Sequence, residues 1–363
     1  MNKSQILSMV LLASIVVLCV WPQTAQAEPY FAIQTGYKCR VCHVSPTGGG
    51  MRTAFGATYA QTSLSRRLVG DLWDDKVGGT LSVGGDLRVN AAVRDVPGQE
   101  NDAQFETEEA LLYAHFTLLA ERLSFYLDER VAPGGASSRE AYALLWFNDQ
   151  RTYLRMGRMF LPYGHRIEDD TAFIRQVPGI NYNTPDDGIE VGHEFASWSM
   201  NLALTNGTAG AGETDTGKQA SARVAWIRPT WRAGASFNFN DADAGDRQMQ
   251  NLFAGLKTGR VSWLFEYDWI RDDSFATGSR DQGIGFAEAN VNLAKGYNLK
   301  LTYEFFDPDD DVDEDDVNRA SLVFEAFPIQ FVQYSLGARF GDGIPQSGRQ
   351  NADEFFLQLH AYF

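Results

Sequence analysis

Two thiols and an imidazole lie close together near the start of the chain, in Cys39-Arg40-Val41-Cys42-His43. A C-x-x-C-H run is the attachment signature of c-type haem. One short helical turn brings positions i, i+3 and i+4 to the same side. Both sulfurs can then bond the porphyrin vinyl groups while His43 reaches the iron as proximal ligand. The competing chemistries are a redox dithiol, a structural disulfide and half of a zinc site. A zinc site needs a second Cys/His pair at suitable spacing, and the sequence has none. A thioredoxin-like dithiol needs βαβ patterning nearby, which is also missing. The motif therefore predicts one covalent haem c.

Haem attachment of this kind takes place outside the cytoplasm, and the first residues supply the export. Lys3 makes a small positive region, Ile6 to Trp21 is apolar, and Ala25-Gln26-Ala27 is an A-x-A cleavage site. Residues 1–27 thus read as a signal peptide, with Glu28 opening the mature chain. Cys19 lies in the removed part, so Cys39 and Cys42 are the only mature cysteines and none is left for a structural disulfide. The full chain carries 31 basic and 47 acidic side chains; the leader takes away one lysine, leaving a net charge of −17. Such an acidic balance argues against nucleic-acid binding and suits a surface that meets cations.

Residues 28–75 hold the haem motif and little else. Pro46-Thr47-Gly48-Gly49-Gly50 is a turn-rich break, and Met51 to Leu68 reads as one short helix. About 48 residues are too few to enclose a haem, since so small a chain seldom builds a sufficient core. Another wall must surround the porphyrin.

From Gly79 onward the period becomes two. Tyr297, Leu299, Leu301, Tyr303 and Phe305 alternate with Asn298, Lys300, Thr302 and Glu304. Leu123, Phe125, Leu127 and Val131 form a similar row, broken at Glu129. About sixteen strands follow, starting near residues 80, 105, 122, 139, 151, 186, 197, 219, 231, 248, 260, 281, 297, 317, 330 and 352. Alternation alone also fits a soluble sandwich, but the connections decide. Short turns, at Ala120-Glu121, Asn148-Asp149, Pro229-Thr230 and Lys295-Gly296 among others, alternate with longer polar loops, as in a barrel with periplasmic turns and extracellular loops. The fold expected is all-β: a transmembrane antiparallel β-barrel over 76–363, multi-pass in the bacterial outer membrane and in contact with its lipid. The helical haem segment would fill its lumen.

An even strand count puts both termini in the periplasm and the long loops outside. One loop, residues 307–316, has eight carboxylates in ten positions, a solvated run or a trap for Fe²⁺ or Ca²⁺. Another, Leu161 to Pro185, is the longest and carries Glu168, Asp169 and Asp170 flanked by His165, Arg166 and Arg175. Arg122, Arg130, Arg151, Arg155, Arg319 and Arg339 are consistent with a lumen of paired charges. For the distal iron position the candidates are Met51, whose thioether would raise the potential, and the lumen-facing His115 and His360. The competing roles are a packing methionine and ordinary hydrogen-bonding histidines. His115 shares its row with Glu109, Tyr113 and Thr117, and His360 with Glu354 and Gln358; the two should lie near each other toward the periplasm. His193, in the apolar row of Ile189, Val191 and Phe195, reads as an interface residue.

Pro29-Tyr30-Phe31-Ala32-Ile33-Gln34-Thr35-Gly36 before Cys39 resembles the opening of the fused outer-membrane monohaem cytochrome–porins. Phe55-Gly56 and Tyr59 are similar to the aromatic-glycine stretch that follows the haem motif in that family, at a spacing lengthened here by Thr47–Gly50. The resemblance implies a barrel holding its haem segment in the lumen as a conductive plug, linked to oxidation of extracellular iron. Gly157-Arg158 with Pro162-Tyr163-Gly164 is similar to a stretch in several anion- or substrate-selective porins.

Two functions follow from these readings. One is electron transfer across the outer membrane between an extracellular donor or acceptor, with Fe(II) the leading donor, and a periplasmic c-type cytochrome or other electron carrier. The other is a solute-diffusing porin whose haem segment is a structural or regulatory plug. No Ser/His/Asp or Cys/His nucleophile system appears, so hydrolysis is a poor candidate. Fe(II) oxidase activity is the one enzymatic reading left open.

Overall fold

The structure, a computed structural model, describes residues 28–119, 122–213, 215–276 and 278–363. The leader 1–27 and the expected turn at Ala120-Glu121 lie outside the described residues. A two-residue strand, β1 (Lys76–Val77), precedes sixteen barrel strands. The first eight of these are β2 (Leu81–Asp95), β3 (Asp102–Leu118), β4 (Leu123–Ala132), β5 (Ser137–Phe147), β6 (Thr152–Met159), β7 (Asp186–Glu194), β8 (Trp198–Thr205) and β9 (Gln219–Ile227). The second eight are β10 (Trp231–Asn240), β11 (Arg247–Thr258), β12 (Val261–Asp272), β13 (Arg280–Ala294), β14 (Tyr297–Asp307), β15 (Val317–Ala326), β16 (Val332–Asp342) and β17 (Asp353–Tyr362). Every one starts within three residues of the position read from the alternation.

Each strand pairs antiparallel with its sequence neighbours, and β17 returns to β2, with His360 opposite Arg88 and Tyr362 opposite Asp86, to close the barrel. Closure leaves no edge, which a bilayer demands because its interior offers no water to unpaired backbone groups. The break noticed at Glu129 is a register shift between Asp128 and Glu129 in the β4–β5 pairing.

The pattern of exposure is inverted relative to a soluble protein. On β8, Leu202 is 59% exposed while its neighbour Asn201 is 2% exposed. On β12, Phe265, Tyr267 and Trp269 face outward while Ser262, Glu266 and Asp268 are buried inside. An apolar exterior over a polar interior is stable only in lipid. Trp198 stacks on Trp226, which meets Trp231 edge to face, at one rim, with successive ring centroids 5.1 Å apart, as interfacial aromatics do. The chain is therefore a transmembrane β-barrel of the outer-membrane type.

Two segments fill the lumen. The first is N-terminal: α1 (Pro29–Thr35), α2 (Cys39–Cys42) and α3 (Ala54–Tyr59), the last running into a π-type turn at Ala60–Leu64. Pro29 suits the first turn of α1, where no amide partner is missed. Gly36 ends α1 in the left-handed region at φ +73°, pressed so closely on Pro229 that a Cβ there would lie 2.8 Å from its Cα. The expected helix Met51–Leu68 is shorter than read. It begins only at Ala54, because Thr53 caps it by accepting the Gly56 amide at 3.1 Å.

The second filling is the β6–β7 loop, and here the sequence reading needs correction. The loop was expected outside, but it folds inward. Leu161, Tyr163, Ile167 and Ile174, the last on α4 (Phe173–Gln176), join one buried cluster with Tyr30, Phe31 and Ile33 of the plug and Met249, Leu264 and Ile284 of the wall. Its acidic run is not solvated either. Glu168 pairs with Arg88 at 2.8 Å, and Asp169 with Arg339 at 2.6 Å.

The arginines separate into three groups. Arg155 is fully buried between Glu140 (3.2 Å) and Glu190 (2.6 Å), Arg319 binds Glu304 (2.6 Å), and Arg339 also reaches Glu354 (3.2 Å). Arg122 and Arg151 instead stand exposed at the short-turn end of the barrel, because they belong to the turns rather than to the inward rows. Arg130 binds Asn183 (2.5 Å) and Ser137 (3.2 Å), with no carboxylate.

Candidate functional site

The short helix α2 places Cys39 and Cys42 at its two ends, and His43 caps it through its backbone amide, 2.9 Å from the Cys39 carbonyl. Both thiols are free. With His43 they open on one cleft of about 970 Å³ between the plug, the inward loop and the wall strands β9 and β10. Pro162 to Arg166 form the opposite side, with Arg223 and Arg232 behind them.

Three observations test whether a haem suits these residues. The first is His43, buried with its Nδ1 lacking any hydrogen-bond partner among the described residues. Burial, and then the Arg52 charge, push its pKa down to about 4 against the pull of the Gly50 and Gly49 carbonyls. The imidazole is thus neutral, the form that binds metal. The second is the packing of a glycine against each cysteine, Gly48 on the Cys39 side chain and Gly56 on the Cys42 backbone, with both thiols facing the cleft of about 970 Å³. Gly48, at φ +94°, would place a Cβ 3.3 Å from that of Cys39, and one on Gly56 would lie 2.1 Å from the Cys42 carbonyl oxygen. The third is the thiols themselves: the Cys42 thiol is held protonated by burial first and by its neighbour Cys39, with a pKa pushed up to about 11. The donor set and the space fit haem c.

The expected distal ligands do not gather here. Met51 packs into a wall cluster with Leu111, Tyr113 and Tyr126, its backbone amide donating to the Tyr126 hydroxyl at 2.8 Å. His360 has both ring nitrogens engaged, Nε2 with Asp86 (2.6 Å) and Nδ1 with Gln333 (3.4 Å). His115 faces the lumen opposite Ser82, six residues along β2 from the Arg88 that faces His360, and none of the three lines the cleft. His193 bonds Thr152 at 2.8 Å and lies tilted against Phe195 (4.2 Å between ring centroids) in the outward row.

One imidazole on the cleft was missed by sequence reasoning. His165, on the inward loop, is locked by its amide to Glu266 (2.6 Å) and by Nε2 to the Ala254 carbonyl (3.0 Å), and burial pushes its pKa down to about 3. Among the described residues it is the only histidine besides His43 on the cleft. The available signal was Ile167, Phe173 and Ile174, apolar residues in a loop expected on the extracellular side. Three arginines there also gave no sequence signal: among the described residues the hydrogen bonds of Arg166, Arg223 and Arg232 go to carbonyl oxygens.

At the long-loop end of the barrel, Asp307, Asp315 and Asp316 approach one another, as do Asp309, Asp310 and Asp311, in the loop after β14. A vestibule of about 2040 Å³, lined by Arg94, Glu106, Arg319 and Arg349 among others, opens toward the same end.

No family model and no curated protein matches the chain. Solved structures do. The loop L8 deletion mutant of OmpT, an outer membrane protein of Vibrio cholerae, aligns with 13% identity and a TM-score of 0.61 over 78% of this chain and all of its own. An anion-selective porin from Comamonas acidovorans gives 13% identity and a TM-score of 0.58 over 78% of this chain and 99% of its own. The outer membrane channel DcaP of Acinetobacter baumannii gives 10% and 0.59 over 78% and 97%. At these identities the likeness concerns the fold, and the fold is that of a sixteen-stranded outer-membrane barrel of the porin type.

Proposed function

We propose that the chain is a fused outer-membrane cytochrome–porin that carries single electrons across the outer membrane. Its partners would be an extracellular donor or acceptor on one side and a periplasmic c-type cytochrome or other electron carrier on the other. The observation supporting this is the C-x-x-C-H helix inside the lumen, with both thiols free and His43 neutral on one cleft. Cys39 and Cys42 would hold the group, each adding its S–H across one vinyl group, and His43 would bind the iron. When bound, haem supplies a one-electron redox centre. The chain's own residues do the rest. Tyr30, Phe31, Tyr163 and Ile167 keep water from one side of the lumen, and the ion pairs of Glu168 and Asp169 hold the inward loop against the wall.

The hydrocarbon band is about 25 Å tall, so one cofactor needs partners that approach closely on both faces. The acidic outer loop favours a cation there, with Fe(II) the proposed donor and Fe(II) oxidation the proposed activity. The large charged vestibule supports the second reading, a solute-diffusing porin in which the haem segment is a structural or regulatory plug. The test is the intact mass of the folded barrel purified from a host that attaches c-type haem. One covalent haem, lost in Cys39→Ala/Cys42→Ala, is expected; a folded barrel without haem from that host would contradict the proposal.

A further inference from the structure

The lumen is rich in charge, and most of its buried cations have a carboxylate partner; Arg175, buried on α4 with no ion pair among the described residues, is an exception away from the cleft. Arg88 and Arg139 share Glu109, Arg155 lies between two glutamates, Lys300 binds Glu28 (2.9 Å), and Arg319 and Arg339 bind Glu304 and Asp169. In a chain of net charge −16 a carboxylate is easily supplied. Against this background the arginines of the cleft stand out.

Arg166, Arg223 and Arg232 all line the cleft, and none has a carboxylate within ion-pair distance among the described residues. Arg232 is 8% exposed; its Nη2 donates to the carbonyls of Ala32 (2.6 Å) and Tyr37 (2.9 Å), and its Nε has no partner. Arg223 uses Nε on the Gly164 carbonyl (3.0 Å) and lies 4.5 Å over the Phe253 ring. Arg166 uses Nη1 on Gly48 (2.7 Å). Nearby acids are committed elsewhere. Glu266 accepts from the His165 amide and from Asn251 (2.7 Å), Glu194 binds Lys38 (2.6 Å), and Glu28 binds Lys300. Burying a guanidinium without a counter-charge is strongly unfavourable, and breaking such a pair destabilises because the remaining charge stays uncompensated. The fixed planar fork of arginine suits carboxylates in particular.

We infer that Arg166, Arg223 and Arg232 form an anion-binding wall whose ligand is a pair of carboxylates on the porphyrin held by Cys39 and Cys42. The inference rests on the haem reading above and extends it: these side chains fix the orientation of the macrocycle in the cleft and place positive charge beside it. Haem carries two propionates, which would neutralise two of the three guanidiniums and leave one positive charge beside the macrocycle. A free inorganic anion is the other source of the same chemistry.

The test uses the full-length chain refolded in detergent, with Cys39→Ser and Cys42→Ser so that binding is reversible. It is titrated with haemin and with haemin dimethyl ester, whose propionates are masked. Haemin is expected to bind at least tenfold more tightly than the ester, and Arg223→Gln/Arg232→Gln should abolish that preference while leaving ester binding unchanged. Equal affinity for both ligands in the parent, or a variant that loses both equally, would overturn the inference. Binding of sulfate by the parent but not by the variant, with haemin and its ester bound equally, would give the wall to a free anion and overturn it as well. The holoprotein gives a second readout. Arg223→Gln and Arg232→Gln should each lower its midpoint potential without changing its absorption spectrum, since removing nearby positive charge favours the ferric form. An unchanged potential would count against the wall. Absence of covalent haem in the parent holoprotein is a separate result and strikes the haem reading itself.

Discussion

Arg166 donates a 2.7 Å hydrogen bond to the carbonyl of Gly48, joining the inward loop to the residue that lies against Cys39. Gly48 takes φ +94°, and a Cβ there would sit 3.3 Å from the Cys39 Cβ and 3.4 Å from its sulfur. Gly48→Ala is therefore expected to strain this turn and crowd the thiol. In-gel haem staining per unit of folded barrel should fall at least twofold; full haem occupancy would show that the approach of Gly48 to Cys39 does not matter for attachment.

The placement of the distal candidates makes a spectroscopic prediction. Met51→Ala, His115→Ala and His360→Ala should leave the low-spin absorption spectrum of the holoprotein in place, because none of these side chains lines the cleft. His165 lines the cleft and, with Nε2 on the Ala254 carbonyl, has Nδ1 to offer, so His165→Ala is the substitution expected to move it toward high spin. A high-spin shift in Met51→Ala with none in His165→Ala would reverse that order.

Much of this was legible in the sequence, and the reasons are physical. Strand starts could be read because a lipid-facing row of Leu202 and Leu204 against Asn201 repeats every two residues whatever the rest of the chain does. The fate of the loop after Met159 could not. Its Ile167 and Ile174 are few, and the charges between them find partners only on distant strands: Glu168 on Arg88 and Asp169 on Arg339. Nothing local distinguishes such a loop from a solvated one. His165 was lost with it, since its relation to His43 exists only after the loop has folded inward. The cysteine motif was legible for the opposite reason, because all its parts lie within five residues.

Glu168 predicts a pH dependence. Burial, only partly opposed by Arg88, pushes its pKa up to about 7, above the value of about 4.5 for an unfolded chain. The folded state then binds more protons than the unfolded one between these values. The associated stability is full below about pH 4.5 and is lost as pH rises through about 7. Urea unfolding of the barrel in detergent should show stability falling by on the order of 1–3 kcal/mol from pH 5 to pH 8, with Glu168→Gln flattening the profile. An identical slope in the variant would assign the dependence to other groups.

Arg155 is the cation whose removal should cost most. With Glu140 and Glu190 both fully or nearly buried against it, Arg155→Met leaves two carboxylates facing each other without a counter-charge. A loss of about 3–5 kcal/mol is expected from denaturant titration, and a loss under about 1 kcal/mol would mean that water reaches the pair.

The acidic outer loop bears on the donor. Changing Asp309, Asp310, Asp311, Asp313, Asp315 and Asp316 to asparagine should slow reduction of the holoprotein by Fe²⁺ at low salt, where screening is weak. Reduction by a neutral donor should be unaffected. Equal Fe²⁺ rates for variant and parent at low salt would remove the loop from the electron path.

The central claim is tested most directly in sealed liposomes holding the purified holoprotein, a redox dye inside and an impermeant electron donor outside. The account predicts that the dye is reduced while a small trapped solute is retained, and that His43→Ala, with its barrel intact, abolishes the reduction. Solute leakage without dye reduction, or an undiminished rate in His43→Ala, would contradict it.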